Sequence, residues 1–320
     1  MSKQRDVWLR EVGTRDGLQS IATIFPTAAK LEWIRLEAAA GMPEIEVGSF
    51  VPPKLLPQMA DSAEVVAGAK RTPGLRVSVL VPNLRGAENA LASGADQLNY
   101  VLSVSEAHSR ANVRRSVQEA MDDFRRIIEY RNARPEFRHV RVAGGLATAF
   151  GCTIAGQVPV SEVFDAARKM IELGADEIAV ADTVGYANPA QCRQIFREVL
   201  AIVGDVPVTA HFHDTRGLGL ANVDAALDVG IRRFDASLAG LGGCPYAPGA
   251  SGNVVMEDLV FMLEAMGLST GVDLDGLLEA RGHMERHLEG ESTRGAFVKA
   301  GVPKGFVLAG DDVASRGGRA

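Results

Sequence analysis

Residues 177–213 read EIAVADTVGYANPAQCRQIFREVLAIVGDVPVTAHFH and contain the repeating unit of the fold. A short apolar segment over 177–181 is followed by a helix-like segment over 189–203 and a β-branched segment over 206–212. Two strands joined through a helix pair in parallel by a right-handed crossover. The stretch therefore predicts a strand–helix–strand unit, and its second strand leads into two histidines, His211 and His213.

Strand-like and helix-like segments alternate along most of the chain. The predicted strands cover residues 7–12, 44–50, 76–81, 97–103, 139–146, 177–181, 206–212 and 233–238. The predicted helices between them include residues 28–40, 87–93, 114–132, 160–173, 189–203 and 218–229. Glycines that follow these helices, such as Gly94 and Gly174, are typical of helix C-caps. Eight such units in about 240 residues favour a (β/α)8 TIM barrel, an α/β fold, over an open doubly wound sheet.

The rest of the chain fits one domain. No GxGxxG fingerprint follows the first strand, which argues against a dinucleotide-binding fold. Segments 253–266 and 274–287 predict extra C-terminal helices beside the barrel. We therefore expect a single TIM-barrel domain over residues 1–306, with its C-terminal helices included. The Gly- and Asp-rich segment 307–320 predicts a disordered tail.

Composition excludes several classes of function. The chain has 320 residues, 47% of them hydrophobic, and a net charge of −6, which gives no footprint for nucleic acid or an anionic membrane. No apolar run approaches the roughly 18 residues of a membrane span, and the first residues form no signal-peptide core. The three cysteines are odd in number and far apart, unlike a disulfide framework. We expect a cytoplasmic protein.

The two histidines of the seventh strand predict a metal site. Residues two apart in a strand point to the same face, so His211 and His213 converge. Neutral imidazole is the commonest protein metal ligand, although paired core histidines also occur. Asp16 ends the first strand and adds a carboxylate at the rim where a barrel keeps its active site. This mixed nitrogen and oxygen set favours Mg²⁺ or Mn²⁺ over structural zinc, and Asn253 is either a helix N-cap or a further oxygen ligand.

Other strand ends supply charged groups to the same rim. Arg15 is either a charge partner of Asp16 or a fixed cation that stabilises a developing enolate. Glu46 lies on the second strand, and Asp182 and Thr183 follow the sixth. Asp182 alone fits a helix N-cap equally well. Helix capping does not readily explain why four strands bring acids and imidazoles to the same rim.

The segment 239–253, AGLGGCPYAPGASGN, follows the eighth strand. Its glycines permit a mobile lid, and Cys244 within it is a candidate for proton transfer. Phosphate cradling is a competing interpretation, but no GK[ST] motif follows. Cys152 and Cys192 are interpreted as ordinary small residues.

Together these motifs resemble the 3-hydroxy-3-methylglutaryl-CoA lyase family, a group of metal-dependent TIM-barrel lyases. The resemblance covers about residues 5–290 and rests on EVGTRDGLQ (11–19), IEVGSFV (45–51) with PQMA (57–60), HFHDT (211–215) and the glycine loop through Asn253. It implies retro-Claisen cleavage of an acyl-CoA thioester to acetyl-CoA and acetoacetate. It also implies a homodimer and a place in leucine degradation.

The resemblance assigns roles residue by residue. It implies that Asp16, His211, His213 and Asn253 bind Mg²⁺ or Mn²⁺. It implies that Arg15 neutralises the enolate, that Glu46 lies near a metal-bound water and that Cys244 handles protons, and it gives Asp182, Gln19 and Thr183 places in the cavity.

Three segments depart from the family pattern. Ser20-Ile21-Ala22 stands where the family has Asn-Glu-Lys, which removes a cation near the cavity mouth. Residues 216–218 are Arg-Gly-Leu where the family has Tyr-Gly-Gln. Residues 151–156 are Gly-Cys-Thr-Ile-Ala-Gly where the family has Gly-Cys-Pro-Tyr-Glu-Gly. The substrate is therefore either 3-hydroxy-3-methylglutaryl-CoA or a differently substituted 3-hydroxyacyl-CoA.

Three other functions compete with this interpretation. A Claisen-type synthase of the isopropylmalate synthase branch is the nearest, but Cys244 and the lack of a long regulatory domain argue against it. Amidohydrolases place their His-x-His pair on the first strand, and a non-catalytic relative would not need Arg15 and Cys244.

Overall fold

Eight parallel strands close into a barrel in the order β1 to β8, and β8 pairs with β1 through Trp8–Arg233 and Glu11–Ala236. The computed structural model describes residues 5–243, 252–288 and 290–309. The strands β1 to β8 are Trp8–Glu11, Glu44–Ser49, Arg76–Val81, Gln97–Ser103, Arg141–Ala147, Glu177–Asp182, Val208–Phe212 and Arg233–Ala236. Each lies within two residues of a predicted strand, so the predicted TIM barrel is confirmed.

Helices surround the barrel and extend beyond its last strand. In the described ranges α1 to α11 are Thr27–Ala39, Ser62–Ala69, Leu84–Ser93, Glu106–Val113, Val117–Asn132, Val160–Leu173, Pro189–Val203, Gly219–Asp228, Met256–Ala265, Leu274–Glu285 and Phe297–Ala300. The extra helices α9 and α10 confirm the predicted C-terminal addition. Sequence patterns missed the short helices α2 and α4. The predicted tail lies outside the described residues from 310 onward, and none of the described helices is long and apolar enough to cross a bilayer.

Local sequence explains where these helices begin and end. Gly94 and Gly174 end α3 and α6 with φ of 88° and 99°, a left-handed conformation that strains other residues, as the C-cap prediction requires. The segment predicted as one helix from residue 114 begins at Val117 instead. Ser116 and Glu119 form a capping box there, which satisfies the first backbone N–H groups of α5.

The apolar core lies between the strands and the helices, whereas the barrel interior is polar. Arg10 on β1 crosses this interior, with Nε 2.8 Å from Asp235, and Nη1 3.2 Å from Glu177 and 3.3 Å from Glu44. Outward residues such as Leu98 are fully buried against the helices. Since a barrel of this type is usually filled by bulky branched side chains, the ion-pair network is a distinctive floor beneath the rim.

Candidate active site

A cavity of about 820 Å³ opens at the carboxyl ends of the strands. Seven of the ten predicted site residues line it, and they come from β2, β7 and the segments that follow β1, β6 and β7: Arg15, Asp16, Gln19, Glu46, Thr183, His211 and His213. The barrel therefore gathers residues far apart in sequence at the rim where such folds keep their active sites.

Asp16, His211 and His213 form a group that could hold a metal ion. Each offers a ligand atom, and these atoms lie within 4.8 Å of one another. The two Nε2 atoms are 3.1 Å apart, and His213 Nε2 is 3.7 Å from Asp16 Oδ2. Two imidazole nitrogens and a carboxylate oxygen that face one point are a donor set for a divalent cation.

Asn253 adjoins this group through a buried side chain. Its Nδ2 donates to Asp16 Oδ2 at 2.7 Å and to the Leu241 carbonyl at 3.1 Å. Its Oδ1 is buried and has no hydrogen-bond partner among the described residues, which costs free energy. Rotation of the amide exchanges Oδ1 with the Nδ2 that contacts Asp16, so the orphaned oxygen fits a fourth ligand. Helix α9 has Val255 at its N-cap, so the N-cap alternative for Asn253 does not hold.

Asp235 on β8 orients His211, and sequence reasoning missed it. Its Oδ2 lies 3.2 Å from His211 Nδ1, and Arg10 bonds both of its oxygens at 2.8 and 2.9 Å. Burial opposes ionisation, but Arg10 and His211 together outweigh it and lower the pKa of Asp235 to about 2. The carboxylate therefore accepts from His211 Nδ1, and His211 Nε2 is left facing His213 in the candidate metal site.

Arg15 and Asp16 lie on a π-helical turn over Gly13–Gly17. Arg15 Nη1 donates to Asp16 Oδ1 at 2.7 Å, and its Nε donates to Glu46 Oε2. Asn99 Nδ2 donates to the other Glu46 oxygen at 2.8 Å. Burial alone would raise the pKa of Asp16, but Arg15 and the two histidines hold it well below its usual range. Asp16 thus remains an anion, and Arg15 is fixed between two carboxylates.

The remaining predicted residues divide between cavity and framework. Gln19 lines the cavity and donates to Asp16 Oδ1 at 3.0 Å, and Thr183 lines it from the end of β6. Asp182 is not among the cavity-lining residues of the described chain. Its oxygens accept from the backbone N–H groups of Tyr186 and Ala187 at 2.8 and 3.0 Å. Cys244 and the rest of segment 244–251 lie outside the described residues.

Two further residues hold the loop after β8 against the candidate metal site formed by Asp16, His211 and His213. Gly242 has φ of 137°, and a Cβ there would lie 2.5 Å from Asn253 Nδ2 and 3.4 Å from Asp16 Oδ2. Only glycine permits this close approach. Arg294, from the segment after α10, donates to the Asn253 carbonyl at 2.8 Å and the Gly240 carbonyl at 3.1 Å.

A buried carboxyl cluster outside the cavity links the loops that follow β1 and β8. Glu11 accepts from the backbone N–H groups of Gly13 and Leu238, and Glu37 and Glu257 lie near it. Burial raises the pKa of Glu11 to about 8 against the opposing backbone hydrogen bonds. Burial and the Glu11 carboxylate also raise the pKa of Glu37 well above its usual range. The cluster therefore retains protons that an unfolded chain would release.

This cluster predicts a pH-dependent stability. A carboxyl group whose pKa is raised in the folded protein contributes its full stabilisation at pH values below its pKa in the unfolded chain, near 4.5. That contribution is lost as the pH rises toward the pKa of the group in the folded protein. We expect Glu37→Gln to match the parent in melting temperature at pH 5 and to exceed it by at least about 3 °C at pH 8.5. The reason is that a carboxyl pKa differing by one between the folded and unfolded chains changes the free energy of unfolding by about 1.4 kcal/mol. Glu32→Gln, which breaks a surface pair with Arg35 on α1, is the control. If the difference in melting temperature between Glu37→Gln and the parent were the same at pH 5 and pH 8.5, the assignment would be contradicted.

The fold and site define a class: a barrel enzyme whose rim carries an Asp/His/His group that could hold a metal ion beside a fixed guanidinium. Comparison with known proteins agrees with that class. The HMGL-like family model matches residues 6–283. The mouse mitochondrial hydroxymethylglutaryl-CoA lyase is 42% identical over 86% of this chain and 84% of its own, and a Bacillus subtilis hydroxymethylglutaryl-CoA lyase is 40% identical over 90% and 95%.

A solved structure gives the same result. The HMG-CoA lyase of Acinetobacter baumannii in complex with coenzyme A and 3-methylmalate superposes with a TM-score of 0.87 at 42% identity, covering 92% of this chain and 95% of that one. The chain belongs to the HMGL-like family, the family of hydroxymethylglutaryl-CoA lyase, and it is a carbon–carbon lyase. The resemblance predicted from the sequence is confirmed.

Proposed function

We propose that this protein cleaves 3-hydroxy-3-methylglutaryl-CoA, or a close 3-hydroxyacyl-CoA, to acetyl-CoA and a keto acid such as acetoacetate. One observation carries this proposal: the Arg15 guanidinium is held 2.7 Å from Asp16, and Asp16 belongs to the Asp16–His211–His213 group that could hold a metal ion. The names of the mouse and Bacillus subtilis relatives support the substrate, and coenzyme A bound to the Acinetobacter baumannii relative supports an acyl-CoA.

The proposed cofactor is Mg²⁺ or Mn²⁺, held by Asp16, His211, His213 and the Asn253 amide oxygen. The set contains oxygen and imidazole donors without a thiolate, which suits these cations. When bound, the cation supplies Lewis acidity that makes the substrate 3-hydroxyl easier to deprotonate. Asp235 keeps His211 in the tautomer that turns Nε2 toward the site.

Glu46 is the proposed base. Asp16 has a pKa held well below its usual range, so its affinity for a proton is low and it is better suited as a ligand. Glu46 lines the same cavity, and Arg15 and Asn99 orient it. It accepts the hydroxyl proton, directly or through a water molecule.

Arg15 then stabilises the product of bond cleavage. As the bond between C2 and C3 breaks, its electron pair moves onto the thioester carbonyl and forms an enolate. The buried guanidinium is already oriented by two carboxylates, so it meets this charge without reorganising. Gln19 and Thr183 contact the substrate in this proposal, and Asp182 serves catalysis by positioning the loop that carries Thr183.

Cys244 is the proposed donor that returns a proton to the enolate. This role comes from the family resemblance, and the residue lies outside the described part of the structure. We expect Cys244→Ala to reduce kcat by about 100-fold, the scale of one general-acid step, without lowering the melting temperature. Cys192→Ala is the control, because Cys192 is buried in α7 away from the cavity lining. Unchanged turnover of Cys244→Ala would remove the thiol from the mechanism.

The proposed function is tested by direct assay. Metal-free protein is incubated with 3-hydroxy-3-methylglutaryl-CoA and related 3-hydroxyacyl-CoA thioesters, with and without Mn²⁺ or Mg²⁺, and acetyl-CoA is measured by mass spectrometry. We expect cation-dependent release of acetyl-CoA. A parallel reaction contains acetyl-CoA and 2-keto acids, and release of free coenzyme A there without cleavage activity would favour the condensing synthase. The mouse, Bacillus subtilis and Acinetobacter baumannii relatives are lyases and do not favour that alternative.

We further propose a homodimer that acts in the cytoplasm, in leucine degradation, without nucleic-acid or membrane partners. The family resemblance supports the dimer and the pathway, and the few scattered cysteines support the compartment. The net charge of −6 supports the absence of polyanionic partners. Light scattering of the purified protein measures the mass of the assembly.

A further inference from the structure

The inner wall of the barrel carries no side chain larger than a methyl in the middle of β5 and β6. The inward positions there are Ala143, Gly145, Ala179 and Ala181, and all four line the active-site cavity. Barrels of this type usually fill their interior with bulky branched side chains. The small residues therefore leave a recess that continues the cavity inward from the rim.

Val101 on β4 reveals the open space. In the strand register Val101 pairs with Gly145, and Gly145 pairs with Ala179, so these three residues form one row of the wall. Val101 is 39% exposed although the strand residues beside it, Tyr100 and Leu102, are buried. Its methyl groups therefore face the cavity, and its neighbours in the row, Gly145 and Ala179, have no side chain larger than a methyl group. We call the space beside Val101, Ala143, Gly145 and Ala179 the β5–β6 recess.

Packing constrains the glycine in this row less than it constrains the neighbouring glycine. A Cβ on the neighbouring Gly144, which points outward, would lie 2.4 Å from Met170 Sδ, so helix α6 requires a glycine there. A Cβ on Gly145 would meet the Tyr100 carbonyl at 3.3 Å and Val101 Cγ2 at 3.4 Å, so the Tyr100 carbonyl would have to shift by a few tenths of an ångström. The backbone of Gly145 also avoids the left-handed region. A side chain at 145 would require a smaller shift of its neighbours than one at 144, and its absence keeps the recess open.

The chemistry of the recess favours an uncharged group. The row Val101, Gly145 and Ala179 presents only methyl groups and backbone, and Leu80 from β3 also lines the cavity. Asn99, the strand partner of Ala143 in the next row, already donates to Glu46 at 2.8 Å. Arg10 reaches the cavity floor, but its guanidinium already contacts Asp235, Glu177 and Glu44. A second substrate carboxylate would therefore meet carboxylates rather than an unpaired cation, whereas an alkyl group would bury apolar surface.

We infer that the β5–β6 recess binds the C3 substituent of the substrate, so that the protein acts on 3-hydroxyacyl-CoA thioesters whose C3 alkyl group is longer or more branched than methyl. This inference rests on the proposed lyase function. The recess lies at mid-strand positions, whereas the pantetheine arm must leave through the rim. The acyl group at the cation site is thus the part of the substrate that can extend into it.

The test is a series of 3-hydroxy-3-alkylglutaryl-CoA thioesters whose C3 group is methyl, ethyl, propyl or isobutyl. We expect kcat/KM to rise by about threefold to fourfold per buried methylene until the recess is filled. In Gly145→Leu the ratio of kcat/KM for isobutyl to that for methyl falls by at least about tenfold, and Gly145→Ala gives an intermediate ratio. Ala179→Val, in the same row, fills the recess independently if Gly145→Leu does not fold.

Binding provides a readout without turnover. In the Arg15→Gln background the dissociation constant of each thioester is measured by calorimetry, and we expect it to fall along the series and to rise again when Gly145→Leu is added. Wild-type protein that cleaves the methyl compound while kcat/KM decreases steadily with chain length would overturn the inference and leave the lyase function intact. Cleavage of no compound in the series, with Mn²⁺ present, would overturn both.

Discussion

We expect Arg15→Gln to reduce kcat for carbon–carbon cleavage by about 1,000-fold while the affinity for Mn²⁺ changes little. Arg15 is 8% exposed and is fixed by Glu46 and by Asp16, the latter at 2.7 Å. Removal of one preorganised donor from a charge-stabilising site costs on the order of 100-fold to 1,000-fold. Arginine also contributes a full positive charge, so its loss falls at the upper end of that range. Single-turnover kinetics measure the effect, and calorimetric titration with Mn²⁺ measures the cation site.

Two variants control this experiment. Arg15→Lys keeps the charge but loses the planar, bidentate geometry, and we expect an intermediate rate. Arg35→Gln removes a surface arginine that pairs with Glu32, and its turnover should equal that of the parent. An Arg15→Gln rate within about threefold of the parent would exclude the proposed role in stabilising the enolate.

The parts of the site that follow from the sequence are those set by strand ends. Parallel strands in a barrel deliver their carboxyl ends to one rim, so the sequence alone could predict that Asp16, His211 and His213 meet. The period of two along a strand placed both histidines on one face. Asn253 was expected as either a cap or a ligand, and its contact with Asp16 at 2.7 Å depends on how the loop after β8 folds back.

Register and distant packing decide the rest. Ala181 pairs with His211 and shares its inward face, so the next residue, Asp182, points away from the cavity and bonds the backbone of its own loop. Asp235 touches His211 because β7 and β8 are in that register, which no local motif encodes. The contact of Glu11 with Leu238 spans 227 positions of the chain. Such contacts follow from closure of the barrel and not from any short pattern.

The cation site gives the second large effect. We expect His213→Ala to weaken Mn²⁺ binding by on the order of 1,000-fold, more than the 10-fold to 100-fold typical of losing a residue that only orients a ligand. His213 is 5% exposed, and its Nε2 lies 3.1 Å from that of His211. The parent should gain about 2.7 kcal/mol of stability when Mn²⁺ is present at 100 times its dissociation constant. The variant should lose that gain, which thermal melts with and without Mn²⁺ measure.

Graded variants separate direct ligation from general damage to the fold. Asp235→Asn leaves all proposed ligands in place but removes the charge that orients His211, so we expect a loss of about 10-fold to 100-fold in Mn²⁺ affinity. His139→Ala changes an exposed histidine and should bind Mn²⁺ as the parent does. The order His213→Ala, Asp235→Asn, His139→Ala in decreasing effect follows only if the imidazole itself binds the cation. Equal Mn²⁺ affinity in His213→Ala and the parent would rule out the proposed centre, because the remaining carboxylate, amide oxygen and single imidazole could not hold the ion as tightly.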